Sequence, residues 1–332
     1  MTAHVGVALS SGGAAGLAHI GVLEELVRAG VQIHFVTGTS AGAMVGAAFA
    51  AGHLEQFHER ALSWTAWRRM ALFDLIWPRN GLLGGRRAME LLGTCAEGPI
   101  ENLPVRYAAV ATDLDSGRRV SLCRGDIRHA IRASIAIPGV FTPRRSEGRL
   151  LVDGALTDPI PVGPARELGA DFVIASSVIG SPGTALSTRC FTSPPAPPLR
   201  NRLRRALGFD RSKRACARQP DSASAPAPAA SAAEQTDGLT AILYKASAVV
   251  QTAIAAARLR DEPPDFLIAP AAYDIGLFDV QRAAEAIEIG RAATRAALPA
   301  LLEAIERMQA TTRSRFRWWP RHEGMIASPV AA

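Results

Sequence analysis

Three stretches of this sequence hold residue types that can do covalent chemistry when a fold brings them together. Gly38-Thr39-Ser40-Ala41-Gly42 has the G-x-S-x-G spacing of a nucleophile elbow, in which a sharp strand-to-helix turn lifts a serine oxygen clear of a sheet. Gly38 and Gly42 suit such a turn because a Cβ at either place would meet the opposite limb. Read alone, the same pentapeptide serves equally as a helix N-cap on Ser40. Upstream, Ser10-Ser11-Gly12-Gly13-Ala14-Ala15-Gly16 is a glycine-rich loop, and the backbone N–H groups of Gly12 and Gly13 are candidates to hold an oxyanion. A plain turn or a phosphate-binding loop would use similar residues. A dinucleotide loop, however, calls for an acidic residue at the end of the next strand, where this chain has Val36-Thr37-Gly38. Downstream, Asp153 ends the apolar run in Leu150-Leu151-Val152-Asp153-Gly154-Ala155, placed to be a base for Ser40 or simply a turn-forming Asp-Gly.

A nucleophilic serine needs a base, and the seven histidines are His4, His19, His34, His53, His58, His129 and His322. A triad in the order serine, acid, histidine leaves only His322, which lies in a basic tail beyond the last helical pattern. A carboxylate base, Asp153, is the more economical solution. His19 and His129 fall on helical stretches with no acid at metal-ligand spacing, so they read as structural, and no metal or cofactor is indicated. Asp113 and Asp115 ahead of Gly117 read as a hairpin turn. Cys95, Cys123, Cys190 and Cys216 show no CxxC spacing and fit a reducing compartment.

The elements around these residues alternate. Val5 to Leu9 predicts a strand before the glycine loop, and Leu17, Ile20, Leu23 and Val27 continue at helical spacing to a stop at Gly30. Ile33 to Thr37 predicts a second strand, followed by the Ser40 turn and an apolar helix to about Ala51. Further short strands are expected at Tyr107 to Ala111, Leu150 to Val152, Asp171 to Val178 and Asp265 to Ile268, with a helix at Pro161 to Leu168. Val280 to Met308 predicts one or two packed helices. Such alternation predicts an α/β class, a three-layer α/β/α sandwich around a mainly parallel central sheet. Residues 1–180 would form the motif-bearing core and 238–310 the remainder of the same domain. Between them, 181–237 holds eight of the 22 prolines and reads as a flexible insertion, and 311–332 as a basic aromatic tail.

At 332 residues, 48% hydrophobic and 20% charged, the chain is long enough for a sizeable core and too apolar for wholesale disorder. No run reaches the roughly 20 apolar residues that span a bilayer. The N-terminus lacks a basic region followed by a long apolar segment, so the chain reads as cytoplasmic. The net charge of +7 is concentrated, with eight basic residues against Asp210 between Arg200 and Arg218, and Arg313, Arg315, Arg317 and Arg321 around Phe316, Trp318 and Trp319. These segments suit peripheral contact with an anionic membrane better than nucleic acid. Arg132 and Arg144 are further cations that a lipid phosphate could meet.

Taken in order, the glycine loop with Gly16-Leu17-Ala18-His19-Ile20-Gly21-Val22-Leu23, the Gly38 to Gly42 elbow and Asp153-Gly154-Ala155 resemble the bacterial patatin-like phospholipases. Ala133-Ser134-Ile135-Ala136-Ile137-Pro138-Gly139-Val140-Phe141 and Asp158-Pro159-Ile160-Pro161-Val162 add to the likeness, which covers residues 5–180 and resumes weakly over 239–308. The resemblance implies hydrolysis of lipid acyl esters through a Ser-Asp dyad, with Ser40 as nucleophile and Asp153, within a DGA motif completed by Gly154 and Ala155, as its base. It implies Gly12 and Gly13 as the oxyanion hole, and phospholipid, lysophospholipid or another acyl ester as substrate. Two positions depart from the family loop: Ser11 stands for its first glycine and Ala15 for its basic residue. Those departures favour, as the alternative, a catalytically weak or inactive regulatory member.

Overall fold

A computed structural model of the chain describes residues 4–64, 83–180 and 239–317. The expected flexible insertion over 181–237, His322 and most of the basic tail lie outside the described residues.

Eight strands form one sheet: β1 (Val5–Leu9), β2 (Ile33–Thr39), β3 (Arg106–Asp113), β4 (Arg118–Leu122), β5 (Arg144–Ser146), β6 (Arg149–Asp153), β7 (Phe172–Ser176) and β8 (Phe266–Ile268). The order is β5-β6-β3-β2-β1-β7-β8, with β4 also on β3. The pairs β1/β2, β2/β3, β1/β7 and β7/β8 are parallel, so the centre of the sheet has the expected α/β character. From β1 the chain moves outward to β2 and β3 and later returns to the other side of β1 as β7. The carboxyl ends of β1 and β7 therefore form a topological switch point, where open α/β sheets place their ligands.

Helices cover both faces. Val5, Val7, Leu9, Phe172 and Ile174 point to a face packed by α1 (Ala18–Arg28), α2 (Ala41–Ala50) and the long C-terminal helix, α8 (Ala283–Arg317). Ala8, Val173 and Ala175 alternate to the opposite face under α6 (Val162–Glu167) and Ala255 of α7 (Leu239–Asp261). That alternation is the period-two pattern of a sheet buried on both sides. Of the remaining helices, α5 (Ile127–Ser134) packs on β3, and α3 (Leu54–Leu62) packs against α2, α4 (Arg86–Leu92) and α8. The sequence pattern over Val280 to Met308 becomes a 3-10 turn, Val280–Arg282, and one helix that continues to Arg317, taking in the first seven residues of the stretch read as tail. Asp113 does form the β3–β4 turn, accepting from the Asp115 N–H and the Ser116 hydroxyl. No helix among the described residues is long and apolar enough to cross a membrane.

One irregularity of the sheet positions the site. β2 pairs with β3 only up to Thr39 opposite Val110, while β4 occupies the other edge of β3 from Ala109 to Asp113. The edge that β2 vacates is taken by β6, antiparallel, with Asp153 opposite Ala111. Thus β2 and β6 run towards each other along one edge of β3, and their last residues meet over adjacent residues, Val110 and Ala111.

Candidate active site

That head-on meeting brings Ser40, one residue past β2, against Asp153, the last residue of β6. Ser40 Oγ donates to Asp153 Oδ2 at 2.7 Å, and both residues are buried. Oδ1 of Asp153 is also engaged, accepting the Ala155 N–H at 2.9 Å. The carboxylate thus both caps the turn at Gly154 and receives the serine, combining the two readings its sequence allowed. Ser40 does not cap α2, since its side chain accepts no amide of that helix.

Ser40 adopts φ 56°, ψ −118°, and only one other described non-glycine residue, Glu147, has a positive φ. Such a backbone is costly for a residue with a Cβ and persists only where its surroundings hold it. Gly38 and Gly42 leave the room the turn needs. A Cβ on Gly38 would lie 2.3 Å from the Gly42 carbonyl oxygen, and one on Gly42 would lie 2.4 Å from that of Leu9. The first clash is with the opposite limb of the turn, as expected; the second is with the end of β1 instead.

A short segment behind the turn clamps both partners. Ser134 Oγ accepts the Ser40 N–H at 2.9 Å while donating to the Val110 carbonyl at 2.6 Å, and the Ala136 carbonyl accepts the Asp153 N–H at 2.9 Å. Ser134, wholly buried, belongs to the Ala133 to Phe141 stretch, but its role was not legible from residue type alone. A second segment, Asp158 to Pro161, serves as a backbone anchor. Its carbonyls accept the hydroxyls of Thr39 and Thr37 and the N–H of Ser11. Asp158 itself is buried against Arg119, which also reaches Glu167 and Glu262.

In the glycine loop, Ser11 N–H is committed to the Pro159 carbonyl and Ala14 N–H to that of Leu277. Ser11 therefore does not offer its amide to the site. The N–H groups of Gly12 and Gly13 between them find no acceptor among the described residues. Both residues line the same crevice as Ser40 and Asp153. Ala15 is buried in the apolar core. His19 braces the loop from behind: its Nε2 donates to the Ser10 carbonyl at 3.0 Å, which fixes Nδ1 as acceptor for the Ser176 hydroxyl at 2.8 Å. Burial holds its imidazole neutral, with the pKa lowered to about 4, against a raising effect from the bond to Ser10. Arg132 and Arg144 lie away from the crevice. Arg132 binds the carbonyls of Gly84 and Thr142, and Arg144 approaches His129.

Burial also dominates Asp153. It raises the carboxyl to about 7, against the lowering effects of the hydrogen bonds from Ala155 and Ser40. A carboxylate so placed is a stronger base than one in water, and its neighbour is a hydroxyl held at bonding distance. Beside Ser40 the crevice opens into an apolar cavity lined by Leu17, Met44, Phe57, Ile137, Phe141 and Leu277, among others. The arrangement has the parts of acyl transfer: a hydroxyl on a base, spare amides beside it and an apolar recess.

Residues 7–166 match the family model described as patatin-like phospholipase. The chain is 46% identical over 181 residues to an uncharacterized NTE family protein of Mycobacterium tuberculosis, an alignment covering 53% of this chain and 49% of that protein. It is 32% identical over 183 residues to lysophospholipase NTE1 of Yarrowia lipolytica, covering 52% of this chain and 12% of that one. Against neuropathy target esterase sws of Drosophila melanogaster it is 29% identical over 191 residues, covering 55% and 13%. The chain thus spans about half the length of the mycobacterial relative and a far smaller share of the other two. Among solved structures, VipD from Legionella pneumophila is similar with a TM-score of 0.34 and 15% identity, over 53% of this chain and 50% of that one. The match over residues 7–166, which takes in the glycine loop, the Ser40 turn and Asp153, identifies that stretch as a patatin-like phospholipase domain.

Proposed function

We propose that the protein is a serine acyl hydrolase acting on lipid esters, with Ser40 as nucleophile and Asp153 as general base. The observation that carries this reading is the 2.7 Å hydrogen bond from Ser40 Oγ to Asp153 Oδ2 at a strained turn beside an apolar cavity. In the first half-reaction Asp153 accepts the Ser40 proton as Oγ attacks the ester carbonyl. The Gly12 and Gly13 amides receive the negative charge that develops on the carbonyl oxygen, supported by the positive end of α2. Collapse of the tetrahedral intermediate breaks the ester C–O bond, and Asp153 returns the proton to the departing alkoxide. Water then attacks the acyl-serine, giving a proton to Asp153, which passes it back to Ser40 as the fatty acid leaves.

Acyl esters of phospholipid or lysophospholipid fit the apolar cavity, and one similar protein is named a lysophospholipase. The weak-member alternative rested on Ser11 and Ala15. The loop nonetheless keeps two amides, Gly12 and Gly13, without acceptors among the described residues, which favours turnover. The test is hydrolysis of a lysophospholipid series by the full chain, by Ser40→Ala and by Asp153→Asn. Turnover that is lost in both folded variants is expected, and turnover that survives Ser40→Ala would refute the proposal.

A further inference from the structure

The crevice has a second wall, unlike the first. Ser247, Ala248 and Gln251 of α7 line it together with Gly12 and Asp153, and none of the three lines the apolar cavity. Gln251 Oε1 accepts the Ser11 hydroxyl at 3.2 Å, and Gln251 Nε2 donates to Ser247 Oγ at 3.2 Å. A carboxamide has two donors and two acceptor lone pairs, and a serine hydroxyl can donate as well as accept. After these two bonds Gln251 retains one N–H and a lone pair, and Ser247 retains its hydroxyl hydrogen. Ser11, whose hydroxyl a glycine could not supply, holds the carboxamide in place. Among the described residues lining both sides of the crevice, Asp153 is the only ionisable one.

An ester attacked at Ser40 has two arms. The acyl arm belongs in the apolar cavity, so the alcohol arm lies along the α7 wall. We propose that Ser247 and Gln251 form a subsite for an uncharged, hydroxyl-bearing alcohol group, the glyceryl portion of a lipid ester. This rests on the hydrolase reading above. Hydroxyls of the glyceryl group would pair with the spare N–H of Gln251 and the O–H of Ser247, aligning the ester oxygen for the proton that Asp153 returns to it.

The test compares kcat/KM for the 1-glyceryl and the ethyl ester of one fatty acid in the full-length chain, Gln251→Leu and Ser247→Ala. Both substitutions leave the helix backbone unaltered, and Ser247→Ala leaves the Ser11 contact to Gln251 in place. The wild type is expected to prefer the glyceryl ester, with the glyceryl-to-ethyl ratio falling about three- to tenfold for each hydrogen bond removed. A ratio unchanged in both variants, with ester turnover still measurable, would overturn the subsite while leaving the hydrolase reading intact. Failure of the wild type to cleave either ester would overturn that reading, and the subsite with it.

Discussion

The strain at Ser40 makes a prediction that separates backbone from side chain. Ser40→Ala and Ser40→Gly both remove the hydroxyl and leave Asp153 Oδ2 without its donor, so that loss cancels between them. They differ in the backbone. At φ 56°, ψ −118° a residue with a Cβ is strained by about 1–3 kcal/mol, whereas glycine is not. Glycine returns about 0.4–1 kcal/mol of this through the greater freedom of its unfolded chain. The net expectation is that Ser40→Gly is more stable than Ser40→Ala by about 1 kcal/mol, or roughly 2–4 °C in melting temperature for a domain of this size. Thermal melts of the two variants, with urea titrations to confirm equal m-values, measure it directly. An alanine variant as stable as the glycine variant would refute the claim that the turn stores strain, and with it the argument that Ser134 and the two flanking glycines exist to hold it.

Four further perturbations probe the residues around this turn and the segment that anchors it. Asp153 must be ionised to accept the serine proton, so kcat/KM should rise about tenfold per pH unit below about 7 and level off above it. A flat profile down to pH 5 would contradict this. The same raised carboxyl means that between its ordinary pKa and about 7 the folded state binds more protons than the unfolded one, so stability from this group falls as pH rises through that window. Asp153→Asn should remove that slope, as melts across pH 4–8 will show. Ser134→Ala leaves the Ser40 N–H and the Val110 carbonyl without their shared partner. It should lower kcat by about 10- to 100-fold with KM little changed, because a misplaced nucleophile loses near-attack geometry rather than binding; a KM effect alone would count against a positioning role. Arg119→Met strands the buried Asp158, whose carboxyl burial raises to about 6 against the opposing pull of Arg119. Denaturation should show a loss of about 3–5 kcal/mol at pH 8 and a smaller one at pH 5, where Asp158 takes up a proton; equal losses would rule out the charge as cause.

Much of the fold was legible because its central strands are short apolar runs broken by glycine. Val5–Leu9, the Ser40 turn and Phe172–Ser176 announce themselves in this way. The antiparallel margin was not. β4 and β5 are arginine-rich strands, Arg118–Leu122 and Arg144–Ser146, whose pairing comes from their place beside β3 and β6 and not from an apolar pattern. Ser40, Asp153, Gly12 and Gly13 were identifiable as candidates from motif and order, and the structure brings all four to one crevice. Their mutual arrangement depends on β2 and β6 sharing one edge of β3, a relation among residues more than 100 apart that local pattern does not encode. Ser134 and Gln251 were missed for the same reason. Each is an ordinary polar residue on a helix until a distant segment gives it a partner.

The most direct test of the central claim is covalent. The purified protein, its Ser40→Ala variant and its Asp153→Asn variant are treated with a fluorophosphonate, and the adduct is located by peptide mass spectrometry. The account predicts a single modified residue, Ser40, in the wild type, no adduct in Ser40→Ala and strongly slowed labelling in Asp153→Asn. A folded wild-type protein left unlabelled, or labelled at another serine, would contradict it.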